Sequence, residues 1–156
     1  MDIISSSEKE TLHIGKTIAS GLRRGDIICL FGELGSGKTV LAKGIASGLG
    51  IKKEEVISPT FVLMRPYLEA RLPFFHFDLY RLEASRDIMN IGYEEYFYDD
   101  GITVIEWADR LKRLLPEEHL GIRLTLKGPS ERTLKFSASG DRYKDLLEKI
   151  REDIGA

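Results

Sequence analysis

Gly32-Glu33-Leu34-Gly35-Ser36-Gly37-Lys38-Thr39 fits the phosphate-binding loop pattern G-x-x-x-x-G-K-[ST]. The apolar run Ile27 to Phe31 precedes it and reads as a buried parallel strand. After it, Leu41, Ala42, Ile45, Ala46 and Leu49 recur at helical spacing, and Gly50 stands where a helix C-cap belongs. Strand, glycine loop and helix therefore follow in the order that such a site requires. Gly32, Gly35 and Gly37 let the backbone take positive φ and turn its N–H groups toward an anion. The new helix adds its unpaired N–H groups and the positive end of its dipole. Lys38 is placed to reach β- and γ-phosphates, and the Thr39 hydroxyl to ligate Mg²⁺.

The rest of the chain sets the frame for that loop. Its 156 residues read as one domain, large enough to bury a core without disulfides or metal staples. Apolar content of 42% and charged content of 31% are those of a soluble globular protein. A net charge of −2 gives no general attraction to nucleic acid, and the short basic pairs (Arg23-Arg24, Lys52-Lys53) lie near acids. The single cysteine, Cys29, sits inside the apolar strand, where it reads as a small buried hydrophobe. No signal-peptide pattern or membrane-length apolar run is present, so the expected location is the cytoplasm.

In chain order, Asp2 to Ile4 reads as a short strand. Ser7 with Glu10 reads as a capping box opening a helix to about Gly21, with Leu12, Ala19 and Leu22 as its buried stripe and Gly15 as a weak point. Beyond the loop helix, Phe61 to Tyr67 and Phe74 to Asp78 read as strands, and Glu83 to Tyr98 as short helices broken near Gly92. Ile102 to Ile105 is a buried strand ending in Glu106-Trp107, followed by a helix through Leu114-Leu115 that Pro116 stops. Ile122, Leu124, Leu126 and Leu134, Phe136, Ala138 alternate with polar residues on either side of Gly128-Pro129-Ser130, which predicts an antiparallel hairpin. Tyr143, Leu146, Leu147, Ile150 and Ile154 line one face of a closing helix. The predicted architecture is α/β: a mostly parallel sheet flanked by helices, with an antiparallel hairpin near the C-terminus.

A phosphate loop needs an acid to hold Mg²⁺ or its waters and a group to orient the attacking water. In open parallel sheets ligands lie at the carboxyl ends of strands, which singles out Asp78 and Glu106. For each, a helix N-cap or a surface acid is the alternative. Thr60 lies where a switch threonine meets Mg²⁺, or else begins a strand. His76, within an apolar strand, reads as a hydrogen-bonded core imidazole, and Trp107 reads equally as core packing. The chain has no glutamine, so a Ras-type water-orienting glutamine is excluded, and its only asparagine, Asn90, is outside any Asn-Lys-x-Asp pattern. Adenine is thus the better expectation than guanine. A small-molecule kinase, or an interaction module that binds ATP with negligible hydrolysis, are the competing readings.

Gly-Glu-Leu-Gly-Ser-Gly-Lys-Thr (32–39), Ser-Pro-Thr-Phe (58–61), His-Phe-Asp-Leu-Tyr-Arg-Leu (76–82) and Ile-Glu-Trp (105–107) together make the chain resemble the bacterial TsaE family, formerly YjeE. His-Phe-Asp-Leu-Tyr-Arg is far more diagnostic than the loop, which many NTPases share. The resemblance covers nearly the whole chain. It implies a P-loop fold and an ATPase required for the threonylcarbamoyl modification of the adenosine next to the anticodon in ANN-decoding tRNAs. It also implies the TsaB–TsaD pair as partners, with ATP and Mg²⁺ as ligands and tRNA contacted only indirectly. By resemblance, Lys38, Asp78 and Glu106 are the catalytic residues, and Thr39, Glu106 and Asp78 the metal-site residues. The nucleotide contacts it implies are Glu33, Gly35, Ser36, Gly37, Lys38, Thr39 and Val40 in the loop, then Thr60 and Trp107. Glu8 at the start of the first helix and Arg132 in the late hairpin complete that set, although no motif surrounds them.

Overall fold

Three segments, β2 (Ile27–Phe31), β4 (Phe74–Asp78) and β5 (Ile102–Glu106), are buried at nearly every position. Strands with that pattern must be covered on both faces, which is the signature of a parallel sheet between helix layers. The computed structural model, which describes residues 1–83, 85–90, 92–97 and 100–155, has this arrangement. The remaining strands are β1 (Asp2–Ser5), β3 (Met64–Tyr67), β6 (His119–Leu126) and β7 (Arg132–Ser139). One seven-stranded sheet runs in the order β1-β7-β6-β2-β5-β4-β3. The central strands β6, β2, β5 and β4 are mutually parallel. Antiparallel pairs extend both edges: β6–β7 and β7–β1 on one side, as the alternating runs predict for the hairpin, and β4–β3 on the other.

Period-2 alternation divides the core. Ile28, Leu30, Val104 and Ile122 face one layer, formed by α1 (Glu8–Ser20), α2 (Lys38–Gly48) and α5 (Asp141–Ile154). Ile27, Cys29, Phe77 and Ile105 face the other, where Ile88 of α3 (Ser85–Met89) and Phe97 of α4 (Glu94–Phe97) pack with Leu111. Tyr98, the expected end of that helical segment, lies outside the described residues. At the amino end of β2, Arg142 of α5 donates to both carboxylate oxygens of Asp26 at 2.9 and 2.6 Å, and the Ile27 N–H donates to the Tyr143 hydroxyl. No helix among the described residues is long and apolar enough to cross a membrane.

Three local expectations are corrected. Phe61 to Leu63 do not join a strand, because the Pro59 carbonyl accepts from the Val62 and Leu63 N–H groups (3.1 and 2.7 Å) and closes a turn. Leu63 then takes φ of +67° and its carbonyl accepts from the Asp78 N–H. The segment after Trp107 is a 3-10 helix, Ala108–Leu114, broken where Lys112 takes φ of +51°.

The third correction concerns α1. Its buried stripe is Thr11, Ile14, Gly15, Ile18 and Ala19, with Leu22 just beyond, while Leu12 is only half-buried. Gly15 is the reason. A Cβ there would lie 2.7 Å from the Leu41 carbonyl oxygen and 2.8 Å from the Gly44 Cα, so α1 and α2 cross backbone to backbone. The glycine that lowers helix propensity is what lets the two helices touch.

Gly15→Ala therefore sets two effects against each other. Propensity favours alanine by about 1 kcal/mol, while forcing a methyl into a closed contact costs about 1–3 kcal/mol. Net destabilisation is expected, read as a lower urea midpoint with an unchanged slope. A midpoint equal to or above that of the native chain would contradict this packing.

Candidate functional site

The glycine loop leaves the carboxyl end of β2, the strand with parallel neighbours on both sides. Gly32, Gly35 and Gly37 all take positive φ (+143°, +78° and +106°). Lys38 opens α2 with its side chain turned back into the loop, where Nζ donates to the carbonyls of Gly32 (2.7 Å) and Glu33 (2.8 Å). Nζ also lies 4.2 Å from the centre of the Trp107 ring. Burial pulls the Lys38 ammonium below its ordinary pKa, and Glu106, Asp78, Asp109 and Glu33 oppose that pull. The first turn of α2 holds no acidic residue, so the positive end of its dipole is not offset there.

Strand register gathers the acids. Glu106 pairs with Leu30 on one side and with Asp78 on the other, so both carboxylates rise from the same pleat beside the loop. The Thr39 hydroxyl donates to Glu106 Oε1 at 2.7 Å. Asp78 Oδ2 accepts from the hydroxyls of Ser58 (3.0 Å) and Thr60 (2.9 Å), and Oδ1 from the Tyr80 N–H (3.0 Å). Thr60 therefore reaches the site through Asp78. Trp107 follows Glu106 with φ of +57°, stacks tilted against Tyr80 at 5.1 Å, and covers Lys38.

A hydroxyl and two carboxylates are hard oxygen donors, the chemistry Mg²⁺ takes. Among the described residues no three His, Cys, Asp or Glu side chains converge to cage a metal.

These groups line a cleft of about 470 Å³. Gly35, Gly37, Lys38, Thr39 and Val40 of the loop line it, with Thr60, Asp78, Glu106, Trp107, Glu8 and Arg132. Arg132, 5% exposed, packs against the loop: a Cβ on Gly37 would lie 3.3 Å from its Cδ and closer still to its guanidinium. Glu33 and Ser36 do not line the cleft. The Glu33 side chain is exposed beside Arg123 and Leu126 and contributes its carbonyl, while Ser36 is buried 3.4 Å from Lys38 Nζ. Sequence reasoning missed Leu34, Ser58, Tyr80, Leu126 and Pro129 as lining residues. Ser58 and Tyr80 lie inside the Ser-Pro-Thr-Phe and His-Phe-Asp-Leu-Tyr-Arg-Leu motifs, which was the signal that could have found them. His76, read as a core imidazole, is fully buried with Nε2 2.5 Å from Glu106 Oε2.

Comparison with known proteins bears on this geometry. The model of the family described as "Threonylcarbamoyl adenosine biosynthesis protein TsaE" matches residues 5–134. The chain is 40% identical over 142 residues to the tRNA threonylcarbamoyladenosine biosynthesis protein TsaE of Bacillus subtilis, covering 91% of this chain and 88% of that protein. It is 39% identical over 134 residues to the protein of the same name from Treponema pallidum, covering 86% and 98%. The crystal structure of Bacillus subtilis YdiB superposes with a TM-score of 0.85 at 34% identity, covering 97% of this chain and 94% of that one.

The Asp78 contacts give a direct test. Alanine offers no acceptor, so Asp78→Ala must release the Ser58 and Thr60 hydroxyls and the Tyr80 N–H together, at about 1–3 kcal/mol. Amide exchange within residues 58–63 is expected to accelerate, with protection of α1, α2 and β2 unchanged. Mass-detected hydrogen exchange would register this, and native exchange rates at 58–63 would refute the role given to Asp78.

Proposed function

The chain belongs to the TsaE family, and from that membership and the cleft we propose that it is an ATPase serving tRNA threonylcarbamoyladenosine biosynthesis. It binds Mg-ATP and hydrolyses it to support or reset a TsaB–TsaD complex, where the carbamoyl transfer itself occurs. The observation that carries this reading is the Thr39–Glu106 contact beside Lys38, which joins a phosphate cradle to an acid at a parallel strand end.

In this reading the loop N–H groups and the amino end of α2 receive the β- and γ-phosphates, and Lys38 neutralises charge that grows on the γ-phosphoryl oxygens. Arg132, packed against Gly37 and lining the same cleft, adds a second cation. Thr39 and Glu106 would hold Mg²⁺, with Asp78 beside them; the metal supplies charge neutralisation on the phosphates. Asp78 already accepts from two hydroxyls and an N–H, which suits an ionised anchor for the Ser58–Thr60 segment better than a free base. Without a glutamine anywhere in the chain, orientation of the attacking water has no Ras-type group. A slow intrinsic hydrolysis that a partner completes accords with that.

ATP turnover is expected to be low for the protein alone and to rise on adding TsaB–TsaD. Lys38→Ala and Glu106→Ala should abolish the stimulation and cut turnover about 100-fold or more. The product should be inorganic phosphate, never a phosphorylated nucleoside or sugar. Equal rates with and without the partners would count against the gating, and a phosphorylated acceptor would favour a kinase.

A further inference from the structure

The two oxygens of Glu106 have separate obligations. Oε1 accepts from the Thr39 hydroxyl at 2.7 Å, and Oε2 meets His76 Nε2 at 2.5 Å. His76 comes from β4, where its register partners are Val104 of β5 and Arg65 of β3, so it reaches Glu106 diagonally across the pleat from one step before Asp78. Its ring is fully buried and Glu106 is 2% exposed, so no solvent donor replaces this contact.

The tautomer follows from hydrogen-bond supply. His76 Nδ1 is buried without a partner. A proton at Nδ1 alone would leave a buried donor unsatisfied and turn the bare Nε2 lone pair toward a carboxylate oxygen. A proton on Nε2 supplies the acid with its donor and leaves Nδ1 an unpaired acceptor rather than an unpaired donor. Because β5 is locked between two parallel strands, the backbone of Glu106 is fixed, and rotation of its carboxylate is the remaining freedom.

We propose that His76 is a positioning residue for Glu106: its Nε2–H pins Oε2 inside the sheet and so turns Oε1 to the Thr39 hydroxyl. An aromatic at this position would fit the run Phe74-Phe75-His76-Phe77 as well as histidine does, and would leave the carboxylate half-paired. The inference rests on the reading above that Thr39 and Glu106 hold Mg²⁺. Groups that orient a metal-binding side chain in this way typically change metal affinity about 10- to 100-fold when removed.

The test is calorimetric titration of the full chain with a non-hydrolysable ATP analogue across a series of Mg²⁺ concentrations. The native protein, His76→Phe, His76→Gln and Glu106→Gln are compared. His76→Phe keeps the volume and removes the donor; the glutamine amide carries a donor at a similar distance from the backbone. The expected result is a Mg²⁺ requirement raised about 10-fold or more in His76→Phe, unchanged affinity in the absence of Mg²⁺, and recovery to within about threefold in His76→Gln. A native Mg²⁺ dependence in His76→Phe, or an equal loss in both His76 variants, would overturn the inference. Failure of the metal reading itself looks different: affinity of the native protein would not depend on Mg²⁺, or Glu106→Gln would keep the native dependence. If His76→Phe does not fold, nitrogen-15 spectra of the native imidazole decide, since a ring with no proton on Nε2 cannot hold Glu106 and overturns the inference.

Discussion

The hydrogen bond from Thr39 to Glu106 joins the first turn of α2 to the last residue of β5. Everything on either side of the cleft is positioned relative to it. Its donor is fixed because the glycine loop delivers Lys38 and Thr39 as the opening residues of α2. Its acceptor is fixed because Leu30, Glu106 and Asp78 stand in register across three parallel strands. Parallel pairing therefore does more than bury apolar surface: it brings to one edge three chain segments that lie far apart in sequence. Such convergence at the carboxyl ends of strands is the reason ligand sites recur there.

The charge distribution fits the same picture. The chain as a whole is mildly acidic, yet the cleft sets two cations, Lys38 and Arg132, among three anions, Glu8, Asp78 and Glu106. Burial makes Lys38, Asp78 and Glu106 costly unless each has a partner, and the hydrogen bonds show where the partners are: backbone carbonyls for Lys38, hydroxyls and an N–H for Asp78, a hydroxyl and an imidazole for Glu106. A small device of opposed charges is thus held in place by groups that carry none.

Much of this was legible in the sequence, for identifiable reasons. The glycine loop, the apolar central strands and the alternating hairpin each carry a period or a spacing that one interaction dictates. The misreadings come from contacts that hydrophobic pattern and propensity do not mark. Phe61-Val62-Leu63 has high strand propensity, but the Pro59 carbonyl and the hydroxyls bound to Asp78 turn it. Leu12 looked like core because large residues usually are, yet α1 meets α2 through Gly15 and Gly44, which no hydrophobicity pattern marks. Arg132 lay in an alternating strand with no motif around it and was placed by resemblance alone. The partner of His76 was invisible because thirty residues separate it from Glu106, and only the strand order brings them together.

The edge of the sheet carries a consequence for the order in which the chain is made. Arg132 begins β7, where Ser5 of β1 is its register partner, and Ser7 caps the helix that begins with Glu8. The two flanks of the cleft thus come from opposite ends of the polypeptide, stitched by a single antiparallel pair. A ribosome that has released residues 1 to 60 has exposed the whole phosphate loop but not Asp78, Glu106 or Arg132. During synthesis the loop emerges before the residues that line the rest of the cleft, and the cleft is complete only when the closing hairpin returns to the first strand.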